Sequence, residues 1–197
     1  MAPAAGAALR FLATALAARA VVEIGTGCGS SGIWLLRGMR SGGVLTSVDT
    51  EPEYHRLARK AFGQAGFAAN QARLILGRAL DVLPRLSDGA YDLVFCDADP
   101  AAYPEYLTAA LRLLRAGGVV VFNDVLPPGT EPATTGPATT GPATTEPATA
   151  GLPTTRPATT GPATDGIREL SNMVGSDERL VPLLLPVAGG ILAAIKK

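Results

Sequence analysis

The sequence predicts an α/β fold, a doubly wound and mostly parallel seven-stranded sheet with one low-complexity segment inserted after the fifth strand. Three observations carry this reading. Short apolar runs alternate with stretches of helical periodicity from residue 21 onward. Unusual polar residues gather after the expected strands rather than before them, as they do where a parallel sheet binds a ligand. A pentapeptide repeat then separates these elements from a C-terminal pair of apolar runs.

In order, residues 21–24 form an apolar run ending at glycines, residues 31–39 have helical character, and residues 44–48 are the next strand. Tyr54, Leu57, Ala58, Ala61, Phe62 and Ala65 fall at helical spacing and predict one buried stripe, with Gly66 where that helix stops. Residues 73–76 read as a third strand, 79–86 as a short helix and 91–96 as a fourth strand. Tyr103, Tyr106, Leu107, Ala110, Leu111 and Leu114 repeat the stripe, and Gly117 and Gly118 end it before a strand at 119–122. A helix near residues 167–174 follows the repeat. Residues 180–195 are too short to span a bilayer comfortably and contain Pro182, Pro186, Gly189 and Gly190, so they read as two strands and a turn.

At 197 residues the chain is long enough for one core, and a single domain over 1–197 is expected. Seventeen basic residues balance seventeen acidic ones and no local basic cluster stands out, which argues against a nucleic-acid partner. Arg10 and Arg19 interrupt the apolar N-terminal stretch, which runs straight into a strand, arguing against a cleaved signal peptide and a membrane location. Two cysteines make no disulfide framework, so a cytoplasmic protein is the default expectation. Residues 131–165 are seven blocks of five related to PATTG. Proline in nearly every block forbids a helix, and Ala, Thr and Gly bury too little to offset ordering, so an extended tether is expected there.

The strand ends supply the candidate chemistry. Glycines at 25, 27 and 29 let the backbone turn sharply beside a ligand, with free amides on the helix that follows. A dinucleotide fingerprint would need glycine at position 30, and Ser30 stands there. Glu23 would repel a pyrophosphate but suits an amine-bearing ligand, and an acid inside an apolar run needs a partner. Asp49, twenty-four residues after Gly25, is placed to accept both hydroxyls of a ribose. A ribose without a diphosphate points to a nucleoside cofactor.

These segments, VVEIGTGCGSSG, SVDTEPEY, LGRALDVLP, YDLVFCDADPAAY and LRAGGVVVFNDVL in order, resemble the metal-dependent S-adenosylmethionine O-methyltransferases that include the catechol and caffeoyl-coenzyme A enzymes. The resemblance implies a Rossmann-like methyltransferase sheet. It implies that Glu23, Gly25, Thr26 and Ser31 line the methionine end of S-adenosylmethionine, that Asp49 holds its ribose, that Ala79 lies beside the adenine and that Asp99 sits beside the cofactor. It implies Asp97, Asn123 and Asp124 as ligands of a divalent cation, magnesium first, with Asp97 the catalytic residue. Methyl transfer to a hydroxyl of a small acceptor, a vicinal diol or an aromatic, would follow. The resemblance also suggests a homodimer.

Three departures accompany it. Asn123-Asp124 exchanges the carboxylate and amide of the family's usual Asp-Asn order. Pro100 stands where many members carry a lysine that is a candidate base. The resemblance implies helices ahead of the position of residue 1 that help cover cofactor and substrate, for which residues 1–197 hold no counterpart, and the repeat stands where the family's loop helps form the acceptor pocket. A second reading, a cofactor-binding but catalytically silent relative with an interaction tether, therefore stays open. Blander roles are also open: Asp97 and Asp99 as turn caps, Asp49 as a helix cap, His55 facing solvent, Trp34 as packing, and Cys28 and Cys96 as inert buried thiols.

Overall fold

A computed structural model describes residues 1–126 and 161–197. The chain runs α1 (Pro3–Ala15), β1 (Ala20–Ile24), α2 (Ser30–Gly38), β2 (Val44–Asp49), α3 (Pro52–Gln64), β3 (Ala72–Leu76), α4 (Ala79–Val82), β4 (Tyr91–Cys96), α5 (Tyr103–Leu113), β5 (Leu114–Phe122), α6 (Pro162–Ser176), β6 (Leu180–Leu185) and β7 (Ile191–Lys196). The seven strands lie in the order β3-β2-β1-β4-β5-β7-β6. β1 to β5 pair in parallel, and β7 enters antiparallel between β5 and β6. The doubly wound, mostly parallel sheet is thus as the sequence predicts.

The central strands are mostly apolar because both faces are covered, with Glu23 of β1 and Thr46 and Ser47 of β2 the buried polar exceptions. Val22 and Ile24 of β1 pack with Val94, Val120 and Phe122 against Leu107 of α5 and Leu170 of α6. Val21 points the other way and packs with Leu93, Phe95 and Val121 against Leu9 of α1 and Leu35 of α2. α1 comes so close to α2 that Gly6 leaves no space for a side chain beside the Trp34 indole, which confirms Trp34 as packing. Pro182 is tolerated because β6 is the edge of the sheet, where a missing N–H need not break a ladder. Among the described residues no helix is long and apolar enough to cross a membrane.

Four local expectations need correction. α5 ends at Leu113 rather than at the glycines, and Leu114 already pairs with Tyr91 in the sheet. The register then slips from Tyr91↔Leu114 to Leu93↔Val119, so Arg115–Gly118 bulges within β5. Leu114 is buried either way, and helical spacing alone could not tell the two apart. α6 begins at Pro162, inside the last block of the expected tether. That block differs from the others by its Asp165: proline in the first turn needs no N–H partner, and an acid there complements the helix dipole. Residues 131–160 of the tether lie outside the described residues. Tyr54, placed on the buried stripe of α3, is 42% exposed. Cys28 is exposed while Cys96 is buried, and both are free thiols.

β1 sends its crossover outward to β2 and β3, and the chain then returns across the sheet to β4 and β5. β1 and β4 stay paired to their ends, but the connections that follow them lead to opposite sides of the sheet, a topological switch point of the kind where such sheets open a crevice.

Candidate active site

A cleft of about 390 Å³ opens at that switch point. Its walls come from the glycine loop after β1 (Gly25, Thr26, Gly27, Cys28), the end of β2 (Val48, Asp49, Thr50, Glu51), Gly77 and Ala79 after β3, and Asp97 and Ala98 after β4. Ser31, Tyr54 and Tyr106 complete it from the first turns of helices. Of the cofactor residues expected from the sequence, Gly25, Thr26, Ser31, Asp49 and Ala79 therefore face one cavity, together with Asp97.

Glu23 differs from expectation: it is fully buried and lies beneath the loop, outside the cleft wall. Parallel pairing sets Glu23 beside Ser47 of β2. Ser47 Oγ donates to Glu23 Oε2 at 2.5 Å, and Ser31 Oγ at the start of α2 donates to Oε1 at 2.5 Å. Thr26 Oγ1 lies 2.7 Å from Ser47 Oγ and, since that hydroxyl proton is already used, donates to it. The partner the acid needs is thus a hydroxyl network that fixes Thr26 and Ser31, two residues that do reach the cleft. Burial pushes the Glu23 carboxyl from its ordinary 4.5 up to about 7, against the pull of the two serine hydroxyls, with Asp97 and Asp49 adding to the rise.

This raised value has a consequence for stability. The folded state holds the proton more tightly than the unfolded chain, so the contribution is full below pH 4.5 and is lost as pH rises through about 7. Above that, the ionised group costs about 3 kcal/mol. Glu23→Gln is a neutral isostere of the protonated acid. Its melting temperature is expected to gain on the wild type by roughly 8 °C between pH 5 and pH 8; parallel pH profiles for the two proteins would contradict the assignment.

Asp49 closes the opposite side. Its Oδ2 accepts the Gly27 N–H at 2.9 Å and its Oδ1 the Glu51 N–H at 3.0 Å. The second bond is the turn-capping role that a short acid plays before a helix, and the first clamps the glycine loop to β2. Each oxygen retains lone pairs for a further donor from the cleft.

At the ends of β4 and β5 the ladder runs one step beyond the strands: the Asp97 N–H bonds to Ile24 O at 2.8 Å and the Asn123 N–H to Cys96 O at 3.0 Å. This sets Asp97 beside Asn123, whose Nδ2 donates to Asp97 Oδ1 at 3.0 Å. Desolvation raises the Asp97 carboxyl above its usual range, Asn123 pulls it down, and the neighbouring Asp124 charge raises it. The Asn123 Oδ1 is buried and has no hydrogen-bond partner among the described residues. Tyr103, itself buried, donates its hydroxyl to the Asn123 carbonyl at 2.8 Å, and burial raises its own pKa. Asn123 and Asp124 lie beside the cleft rather than in its wall. Among the described residues no three His, Cys, Asp or Glu side chains gather into a metal cluster; the expected ligand set is two carboxylates and an amide.

Asp99 is not brought into the cleft. It is exposed, and its Oδ1 accepts the Ala101 N–H at 3.0 Å, capping the short 3₁₀ turn Pro100–Ala102. His55 also departs from expectation, being half-buried, with its Nε2 unpartnered among the described residues. Tyr54 and Tyr106 are cleft residues that the helical stripes hid, since both were counted as core. A usable signal existed: each lies in the first turn of a helix that follows a parallel strand, and such first turns sit at the carboxyl edge of the sheet.

A family model described as O-methyltransferase matches residues 1–197. A Mycobacterium tuberculosis protein named "Probable O-methyltransferase" is 44% identical over 194 residues, 98% of this chain and 76% of its own length. The O-methyltransferase from Bacillus cereus in complex with SAH superposes with a TM-score of 0.80 at 26% identity, over 100% of this chain and 82% of that one. The O-methyltransferase TomG from Streptomyces achromogenes, in complex with SAM, gives a TM-score of 0.80 at 28% identity, over 100% of this chain and 81% of that one.

Proposed function

We propose, because this chain belongs to the O-methyltransferase family, that it moves the methyl group of S-adenosylmethionine to a hydroxyl of a small vicinal-diol or aromatic acceptor, with a divalent cation beside the cofactor. The observation that carries the reading is the convergence of the glycine loop, Asp49 and Asp97 on one cleft at the switch point. Asp49 has acceptor capacity left for ribose hydroxyls, and Ala79, Gly77 and Tyr106 offer a small, partly aromatic wall for an adenine. Thr26, held by Ser47, and Ser31, held by Glu23, keep hydroxyl oxygens free to accept from the ammonium of the amino-acid end. The SAH and SAM bound by the Bacillus cereus and Streptomyces proteins support the same cofactor here.

Asp97, Asn123 and Asp124 suit a hard cation by donor chemistry: two carboxylates and an amide oxygen that is buried without a donor. When bound there, such an ion lowers the pKa of an acceptor hydroxyl. In the transfer, an acceptor oxygen lone pair forms the new C–O bond while the C–S bond breaks and its electrons stay on sulfur, leaving a neutral thioether. The hydroxyl proton leaves to solvent, since Pro100 offers no base. Asp97, between the cofactor cleft and Asn123, is the residue we assign to orienting the reacting centre, and orientation supplies much of the rate.

The test is methyl-deuterated S-adenosylmethionine offered with catechols, aliphatic vicinal diols and monohydroxyl controls, with magnesium or with chelator, and read by mass spectrometry. The label is expected on one hydroxyl of a diol or aromatic acceptor, with transfer falling on chelation. Cofactor binding without transfer to any hydroxyl would favour the silent relative instead.

A further inference from the structure

Three non-glycine residues among the described ones have positive φ, and two of them meet at one place: Asp124 at 52° and Ala188 at 50°. Asp124 follows β5, and Ala188 begins a left-handed run that Gly189 (87°) and Gly190 (86°) continue through the β6–β7 turn. Antiparallel pairing of β5 with β7 carries this turn to the carboxyl end of β5, the edge on which the cleft opens. The turn is fastened there, with the Val125 N–H on Gly190 O at 3.2 Å and the Leu126 N–H on Gly189 O at 2.8 Å.

Gly189 has no room for a side chain. A Cβ on it would overlap Asp124 Oδ1, with Asp124 Cγ at 3.2 Å and Cα at 3.6 Å. The carboxylate therefore rests against the bare backbone of the turn. Non-glycine residues seldom hold left-handed backbone without a compensating constraint, and such strain gathers at functional sites. Here the constraint is visible, because the two turn carbonyls fix the residues directly after Asp124.

We propose that the β6–β7 turn is a seat for Asp124 and that Gly189 is a positioning residue for the cation site, setting divalent-ion affinity without touching the ion. The inference rests on the reading of Asp97, Asn123 and Asp124 as ligands. It also gives a role to the exchanged Asn123-Asp124 order. Asn123 turns inward to Asp97, so the second carboxylate falls on the outer residue, which needs an outside support to hold it.

The experiment is Mn²⁺ binding to the full chain, read by electron paramagnetic resonance of the free ion and independent of turnover. Gly189→Ala is expected to weaken binding at least about tenfold, as loss of a supporting contact does in metal sites. Gly42→Ala is the control, because Gly42 has φ 78° with nothing within 4 Å, so it carries similar backbone strain without the overlap. Gly42→Ala is expected to bind Mn²⁺ within twofold of wild type. Gly189→Ala within twofold of wild type would overturn the proposal, while Asp124→Ala still weakening binding would leave the ligand reading intact. Asp97→Asn and Asp124→Ala both binding like wild type would instead overturn the ligand reading beneath it. Should Gly189→Ala fail to fold, hydrogen exchange on the wild type decides: Mn²⁺ is expected to slow the Val125 and Leu126 amides, and unchanged exchange there would overturn the proposal.

Discussion

Asp97→Asn is expected to lower kcat/KM for methyl transfer about 10³-fold, equal to ~4 kcal/mol of transition-state stabilisation, while the melting temperature stays level or rises. The two halves follow from one observation. Asp97 is half-buried at the cleft wall, and desolvation raises its carboxyl above the usual range. A carboxyl raised by folding stabilises fully below its unfolded value and loses that contribution as pH rises through its folded one. As pH rises through the folded value, ionising the group therefore becomes a cost to the fold. Asparagine keeps an oxygen to accept the bond from Asn123 Nδ2, removes the charge and so removes the cost. A purely structural Asp97, a turn cap for instance, gives the opposite pattern, a lower melting temperature with proportionate loss of activity. Steady-state kinetics and a thermal melt on the same preparation separate the two.

Gly25→Ala is expected to abolish measurable S-adenosylmethionine binding and to lower the melting temperature by about 10 °C. Gly25 has φ 97°, and a Cβ there would overlap the carbonyl oxygen of Asp97. The left-handed backbone costs an ordinary residue about 1–2 kcal/mol, and forcing the ends of β1 and β4 apart adds roughly 1–3 kcal/mol. Neither element can yield easily, because the Gly25 N–H is bonded to Val48 O at 2.9 Å and the Asp97 N–H to Ile24 O at 2.8 Å. The close approach of the two strand ends also makes the glycine loop and Asp97 one rigid wall. Calorimetric titration and circular dichroism melts read the two effects. Wild-type affinity in a fully folded Gly25→Ala protein would contradict this account of the cleft.

Much of the sheet was legible because its signals are redundant. Each strand of β1 to β5 is a mostly apolar run bounded by glycine or a polar end, and strand ends also line the cleft, so Asp49 and Asp97 are marked by both signals. Where the residues suit two states equally, sequence could not decide. Leu114 is buried as a helix-stripe residue or as a strand residue, and only its pairing with Tyr91 chooses. Pro162 belongs to the repeat by composition and to α6 by its place ahead of Asp165. Within the site the failures concern depth and direction. Glu23 was rightly singled out as an acid needing a partner, but which of cofactor or hydroxyl network supplies it depends on the register that sets it beside Ser47. Asp99 sits two residues after Asp97, yet its side chain turns to cap Pro100–Ala102, the local hydrogen-bonding role that competes for any acid in a turn. The Asp124–Gly189 contact joins the residue after β5 to the β6–β7 turn, far apart in sequence, and was beyond any local pattern.

The most direct test of the central claim is a calorimetric titration of S-adenosylmethionine into the wild-type chain, repeated with S-adenosylhomocysteine as competitor. One saturable site per chain is predicted, displaced by the competitor and lost in Gly25→Ala. Absence of saturable binding, or binding that survives Gly25→Ala unchanged, would contradict the assignment of the β1–β4 cleft to a nucleoside methyl donor.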